Sequence, residues 1–90
     1  MKTASRLNGY VSTAVKFFRQ ERLMTQKECS AFLGVSQSQY NRLENGRNPW
    51  TVDGICKVAA ALGLTELAIF ERAVEMRSKC SDLNNGISGE

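Results

Sequence analysis

Apolar residues recur along this chain at three- and four-residue intervals, the period of an α-helix. No stretch alternates apolar with polar residues between turn signals, so strands are not expected. Leu7, Tyr10, Val11, Ala14, Val15 and Phe18 form one stripe and predict a helix over about 7–22. After Leu23-Met24, Thr25 stands as a helix cap with Glu28 in capping-box position, and the second segment carries Cys29, Phe32 and Leu33 before stopping at Gly34. Ser36 caps a third helix, 37 to about 44, that ends at Asn45-Gly46. Its Tyr40 and Leu43 share a face with Glu44 beside them; Gln37, Ser38, Asn41, Arg42 and Asn45 lie opposite. A surface of amides, a hydroxyl and one guanidinium, with no carboxylate, departs from the usual mixture of Glu and Lys.

Thr51 reads as the cap of a fourth helix carrying Val52, Ile55, Cys56, Val58, Ala59 and Leu62, with Asp53 in its first turn and Gly63 at its end. Trp50 and Ile55 take the positions of a hydrophobic staple across that start. Thr65 caps a fifth helix, where Leu67, Phe70, Ala73, Val74 and Arg77 line one side out to about Cys80. Residues 1–80 therefore read as one domain, and 81–90, which lack periodicity, as a disordered tail. The fold class is all-α, a compact five-helix domain.

Composition narrows this picture. Ninety residues, 42% of them apolar, suit a single modest core. No apolar run approaches the ~20 residues of a membrane-spanning helix, and no signal-peptide pattern opens the chain, so no membrane partner is expected. The net charge of +3 is unevenly spread: residues 1–50 hold eight cationic side chains against three acidic ones, and residues 51–90 four against six. A basic first half fits a polyanion-facing surface. Cys29, Cys56 and Cys80 are widely spaced, and the chain has no histidine, which leaves no zinc set and no other metal site. Cys29 and Cys56 read as small core residues and Cys80 as solvated, consistent with a reducing, cytoplasmic compartment. No histidine, paired carboxylates, phosphate-binding glycine loop or activated cysteine supports an enzyme, and no cofactor is implied.

Two short helices joined through Gly34-Val35-Ser36 have the geometry of a helix-turn-helix, in which the second helix projects into the major groove of DNA. The stretches 18–26, 33–38 (Leu-Gly-Val-Ser-Gln-Ser), 41–46 (Asn-Arg-Leu-Glu-Asn-Gly) and 57–63 (Lys-Val-Ala-Ala-Ala-Leu-Gly) together resemble the lambda repressor/Cro, or xenobiotic-response-element, helix-turn-helix family. The resemblance covers about residues 11–70. It implies that Gln37 and Ser38 read base edges and that Asn41 and Arg42, one turn further on, contribute base or phosphate contacts; together the four are the expected base-reading surface. It implies that Gln26 contacts phosphate and braces the first recognition-helix side chain, and that Lys27, Asn45, Arg47 and Asn48 lie along the sugar-phosphate backbone. Arg19 and Glu44 match an ion pair linking the first and third helices. Leu23 stands where the family commonly places glycine or a small polar residue; a positive φ there costs leucine roughly 1 kcal/mol.

The chemistry of these side chains agrees: an amide offers a donor and an acceptor together to adenine, and arginine forks onto guanine. The expected function is a sequence-specific transcriptional regulator, a repressor that binds a pseudo-palindromic operator in double-stranded DNA as a homodimer, with Phe70, Val74 and Arg77 at the dimer contact. Two alternatives stay open: an antitoxin or restriction-modification controller, with a toxin as protein partner in the first case, and a protein-interaction module that kept the fold.

Overall fold

A computed structural model of the chain describes the backbone of residues 2–88 and the side chains of residues 6–79. Five helices follow in order: α1 (Lys2–Glu21), α2 (Gln26–Leu33), α3 (Gln37–Glu44), α4 (Val52–Leu62) and α5 (Glu66–Ser88). No strand occurs among the described residues. The starts are set by the expected caps. Thr25 and Ser36 each accept a hydrogen bond from the backbone N–H three residues on, while Glu28 and Gln39 reach back to close a capping box. Thr51 and Thr65 accept in the same way from the N–H groups of Gly54 and Ala68.

The ends of α1–α4 share one chemistry. In each, two backbone N–H groups fold back onto the last turn while one residue takes left-handed backbone. Met24 and Leu23 close α1 by donating to the carbonyls of Arg19 and Gln20. The pairs Val35 and Gly34, Arg47 and Gly46, and Leu64 and Gly63 close α2, α3 and α4. The left-handed residues are Leu23 (φ 57°), Gly34 (71°), Gly46 (74°) and Gly63 (69°). The α1–α2 turn thus does demand positive φ of a leucine, whose side chain is 90% exposed and gains no packing in return.

One core joins all five helices: Val11, Ala14 and Val15 of α1, Cys29 and Leu33 of α2, Tyr40 of α3, Ile55, Val58, Ala59 and Leu62 of α4, and Ile69 and Ala73 of α5. α1 is the central strut and packs on α3, α4 and most extensively α5, while α2 rests on α3 and α4. The Arg22 guanidinium, donating through Nε to the Leu62 carbonyl at 2.6 Å, adds a cation to the C-terminal end of α4.

Several expectations change. α1 starts at Lys2, ahead of the stripe that begins at Leu7, because nothing from Lys2 to Arg6 breaks a helix. α5 turns inward a side rotated from the expected stripe: Ala73 is buried as expected, but with Ile69, whereas Leu67 and Val74 are 64% and 41% exposed. Apolar residues occur on more than one side of α5, and contact with α1 selects between them. Val52, at the start of α4, is likewise exposed. Cys29 is fully buried, but Cys56 is only half-buried, beside Glu66 at the edge of α5, and is not a core residue. Cys80 and its expected solvation lie outside the described side chains. α5 runs on through residues 81–88, where the sequence predicts a tail, while 89 and 90 lie outside the described residues.

Candidate nucleic-acid interface

The α2–α3 turn is short because both of its ends are fixed by backbone chemistry. Gly34 supplies the left-handed residue and Ser36 the cap, leaving only Val35 between them. α3 is held from beneath by Tyr40, with no exposed surface, by half-buried Leu43 and by Glu44, which is 4% exposed. With that side committed to the core, Gln37, Ser38, Asn41 and Arg42 face solvent together. Gln39 is also exposed, but its amide oxygen is engaged by the N–H of Ser36 at 3.0 Å.

Beneath this surface lies a buried ion pair. Arg19 of α1 donates through Nε to Glu44 Oε2 at 2.5 Å and through Nη2 to Oε1 at 3.0 Å, a two-pronged contact between side chains only 11% and 1% exposed. Its Nη1 donates to the Met24 carbonyl at 2.7 Å, so the same guanidinium also fastens the α1–α2 turn. Burial by itself pushes the Glu44 carboxyl up, but hydrogen bonds from Arg19 and Gln26 outweigh it and hold the group below its usual range. The Arg19 guanidinium is correspondingly held more firmly protonated by its bond to Glu44. The Tyr40 hydroxyl faces this carboxylate and the Cys29 thiol, yet it is buried without a hydrogen bond of ordinary geometry.

Gln26, half-buried at the first position of α2, donates through Nε2 to Glu44 Oε1 at 3.1 Å. Its Oε1 accepts from Asn41 Nδ2 at 3.2 Å, and Asn41 Oδ1 in turn accepts from Asn45 Nδ2 at 3.0 Å. The resemblance implies that Gln26 braces the first recognition-helix side chain, Gln37. Here it braces Asn41 instead. The reason is Glu44, which draws the Gln26 amide toward itself and therefore alongside Asn41, three residues earlier on the same helix. Gln37, Ser38 and Arg42 make no side-chain hydrogen bond among the described residues.

Lys27 is exposed beside Gln26 at the start of α2, and Arg47 is exposed just beyond Gly46, while Asn48 is half-buried. The loop bearing Arg47 and Asn48 is held by two α1 residues that sequence reasoning does not single out. Asn8 donates through Nδ2 to the Asn48 carbonyl at 3.0 Å and accepts from the Trp50 backbone N–H at 2.7 Å. Buried Ser12 donates to the Leu43 carbonyl at 2.5 Å and accepts from the indole N–H of Trp50 at 3.0 Å. Trp50 therefore ties the entry of α4 to α1 as well as lying over its first turn. A Cβ on Gly46 would stand 3.6 Å from the Gly9 Cα, so helix and loop pass close together. The available signal was two polar residues four apart, Asn8 and Ser12, on a helix whose neighbouring positions are apolar.

Phe70, Val74 and Arg77 lie on α5, away from this surface and partly or fully exposed. Phe18, Leu67, Phe70 and Val74 line a shallow groove between α1 and α5. Its rim carries Arg72, stacked 4.5 Å over the Phe17 ring and paired with Glu75 at 3.2 Å. No cluster of metal-ligating side chains occurs among the described residues, and no helix there is long and apolar enough to cross a membrane.

Comparison with known proteins adds three findings. A family model described as helix-turn-helix matches residues 15–69. Two crystal structures of the clp gene regulator ClgR from Corynebacterium glutamicum are similar in fold. One has a TM-score of 0.77 at 23% identity over 87% of this chain and 86% of that one; the other has 0.75 at 24% over 78% and 91%. No curated protein sequence matches the chain.

Proposed function

Since the chain belongs to the Cro/C1-type helix-turn-helix family, whose members are DNA-binding regulators of transcription, we propose that it is a sequence-specific regulator that reads the major groove with α3. Gln37, Ser38, Asn41 and Arg42 face the base edges. Gln26, Lys27, Asn45, Arg47 and Asn48 lie along the phosphates on either side, where contacts fix position but carry no sequence information. The observation that carries this reading is the solvent face of α3, which is free of carboxylate and backed by a fully used core side. An acidic or apolar face would have favoured a protein partner instead.

A single eight-residue recognition helix makes few base contacts. A two-fold dimer doubles them on half-sites about 34 Å apart along one face of the duplex. Half-buried Phe70 and exposed Val74 of α5, with Arg77 beside them, suit such a contact. Occlusion of a promoter by the bound dimer is the simplest mode of action for a domain that binds DNA and dimerises, hence repression.

The test is selection of bound duplexes from a random library, followed by band shifts on the selected sequence. A palindromic site with half-sites one helical turn apart is expected, together with loss of preference at one base pair for Arg42→Ala. Equal binding of the wild type to selected and scrambled duplexes would overturn the reading. Sedimentation of wild type and Val74→Asp tests the dimer, which the introduced charge is expected to split.

A further inference from the structure

The side-chain amides around Asn41 form a chain with a defined direction. It starts at Glu44, which is buried, paired with Arg19 and ionised, and so offers only acceptors. Gln26 must therefore turn its NH2 toward Glu44, which leaves its oxygen toward α3. Asn41 must answer that oxygen with its own NH2, and its remaining oxygen takes the NH2 of Asn45. Every amide in the series is thus oriented by the one below it, and none is free to flip by 180°.

We propose that Glu44, acting through Gln26, sets the donor–acceptor polarity of the Asn41 amide, so that Asn41 meets DNA as a reader of one fixed orientation and Gln26 is its positioning residue. This rests on the base-reading role proposed above for α3. After its two internal bonds, Asn41 keeps one N–H and one oxygen lone pair. That pair matches the N7 acceptor and N6 donor of adenine in the major groove. A free asparagine would have to order its χ angles and choose between two orientations on binding; here both are settled beforehand, and the ion pair that settles them is out of reach of DNA. Gln26 retains one N–H of its own, so a phosphate contact from it is compatible with this role.

The two roles of Gln26 separate cleanly in an experiment. Affinities are measured for the full chain on its selected duplex and on every single-base variant of it. The proteins are wild type, Asn41→Ala, Gln26→Met, Asn45→Ala and, as a phosphate control, Lys27→Ala. Asn41→Ala is expected to remove about tenfold of preference for adenine at one base pair. Gln26→Met should flatten that same pair by severalfold, whereas Asn45→Ala, which leaves the Glu44–Gln26–Asn41 bonds in place, should keep it, and Lys27→Ala weakens all duplexes alike. Uniform weakening by Gln26→Met, or flattening at a different pair, overturns the relay and leaves the base-reading assignment standing. Absence of any preference in the wild type overturns both. An independent readout needs no DNA: NMR order parameters of the Asn41 side-chain NH2 should be high in the wild type and fall in Gln26→Met, whereas an unchanged value overturns the proposal.

Discussion

At the end of α1, Leu23 holds the left-handed backbone that glycine supplies at the ends of α2, α3 and α4. A leucine there costs about 1 kcal/mol, and at 90% exposure it recovers nothing from packing. Leu23→Gly is therefore expected to raise the thermal midpoint by about 4–8 °C for a domain of this size, with DNA affinity unchanged; a lower midpoint in a calorimetric scan would contradict the argument. Glu44 works in the other direction. Its folded carboxyl lies below its ordinary value of 4.5, so the stability it contributes is complete above that pH and is lost as pH falls through the depressed value. Urea midpoints measured from pH 7 down to 3 should drop steeply at the acid end. In Glu44→Gln that share of the drop should be missing, from a start already lowered because Arg19 is left buried without its counter-charge.

Among the elements, what is local was legible and what is distant was not. The starts of α2, α3, α4 and α5 each follow from a hydroxyl and its neighbours within three residues, so Thr25, Ser36, Thr51 and Thr65 can be recognised in the chain itself. The α2–α3 unit and the solvent face of α3 follow from those caps and the helical period. The inward side of α5 did not follow, because Leu67, Ile69, Phe70, Val74 and Met76 spread apolar character around the helix and only packing on α1 chooses Ile69 and Ala73. The direction of the Gln26 amide depends on Glu44, eighteen residues away, and the tie between Asn8 and the 47–50 loop spans about forty. In neither case do the neighbouring residues name the partner, even where, as at Asn8 and Ser12, polar residues on an otherwise apolar side mark that one exists. Asn8→Ala removes two hydrogen bonds from that loop and is expected to cost about 1–2 kcal/mol in denaturant unfolding. Binding should weaken to a similar extent on every duplex while the ranking of sequences stays the same, which distinguishes a loop tether from a base reader.

For the molecule as a whole, the proposed binding mode divides charge from reading. On α3, Arg42 is the sole cation, so in that mode polyanion attraction would rest largely on neighbours such as Lys27 and Arg47. Replacing either by alanine is expected to lower the slope of log K against log salt by about 1, with sequence preference retained; an unchanged slope would remove that residue from the phosphate contacts. The helix ends have a further consequence, for how such a protein can change over generations. Each of α1–α4 is terminated by its own backbone at a fixed residue, and the helices are joined by turns with almost no slack. One residue inserted in α3 ahead of Tyr40 would rotate the remainder of the helix by about 100°, driving Arg42 into the half-buried place of Leu43 and Tyr40 toward water. Length variation in this region therefore disrupts the core, whereas replacements at Gln37, Ser38 and Arg42, exposed and without side-chain hydrogen bonds among the described residues, leave it intact. A lineage carrying this domain can therefore change the exposed face of α3 by substitution, a few positions at a time, but not by insertion.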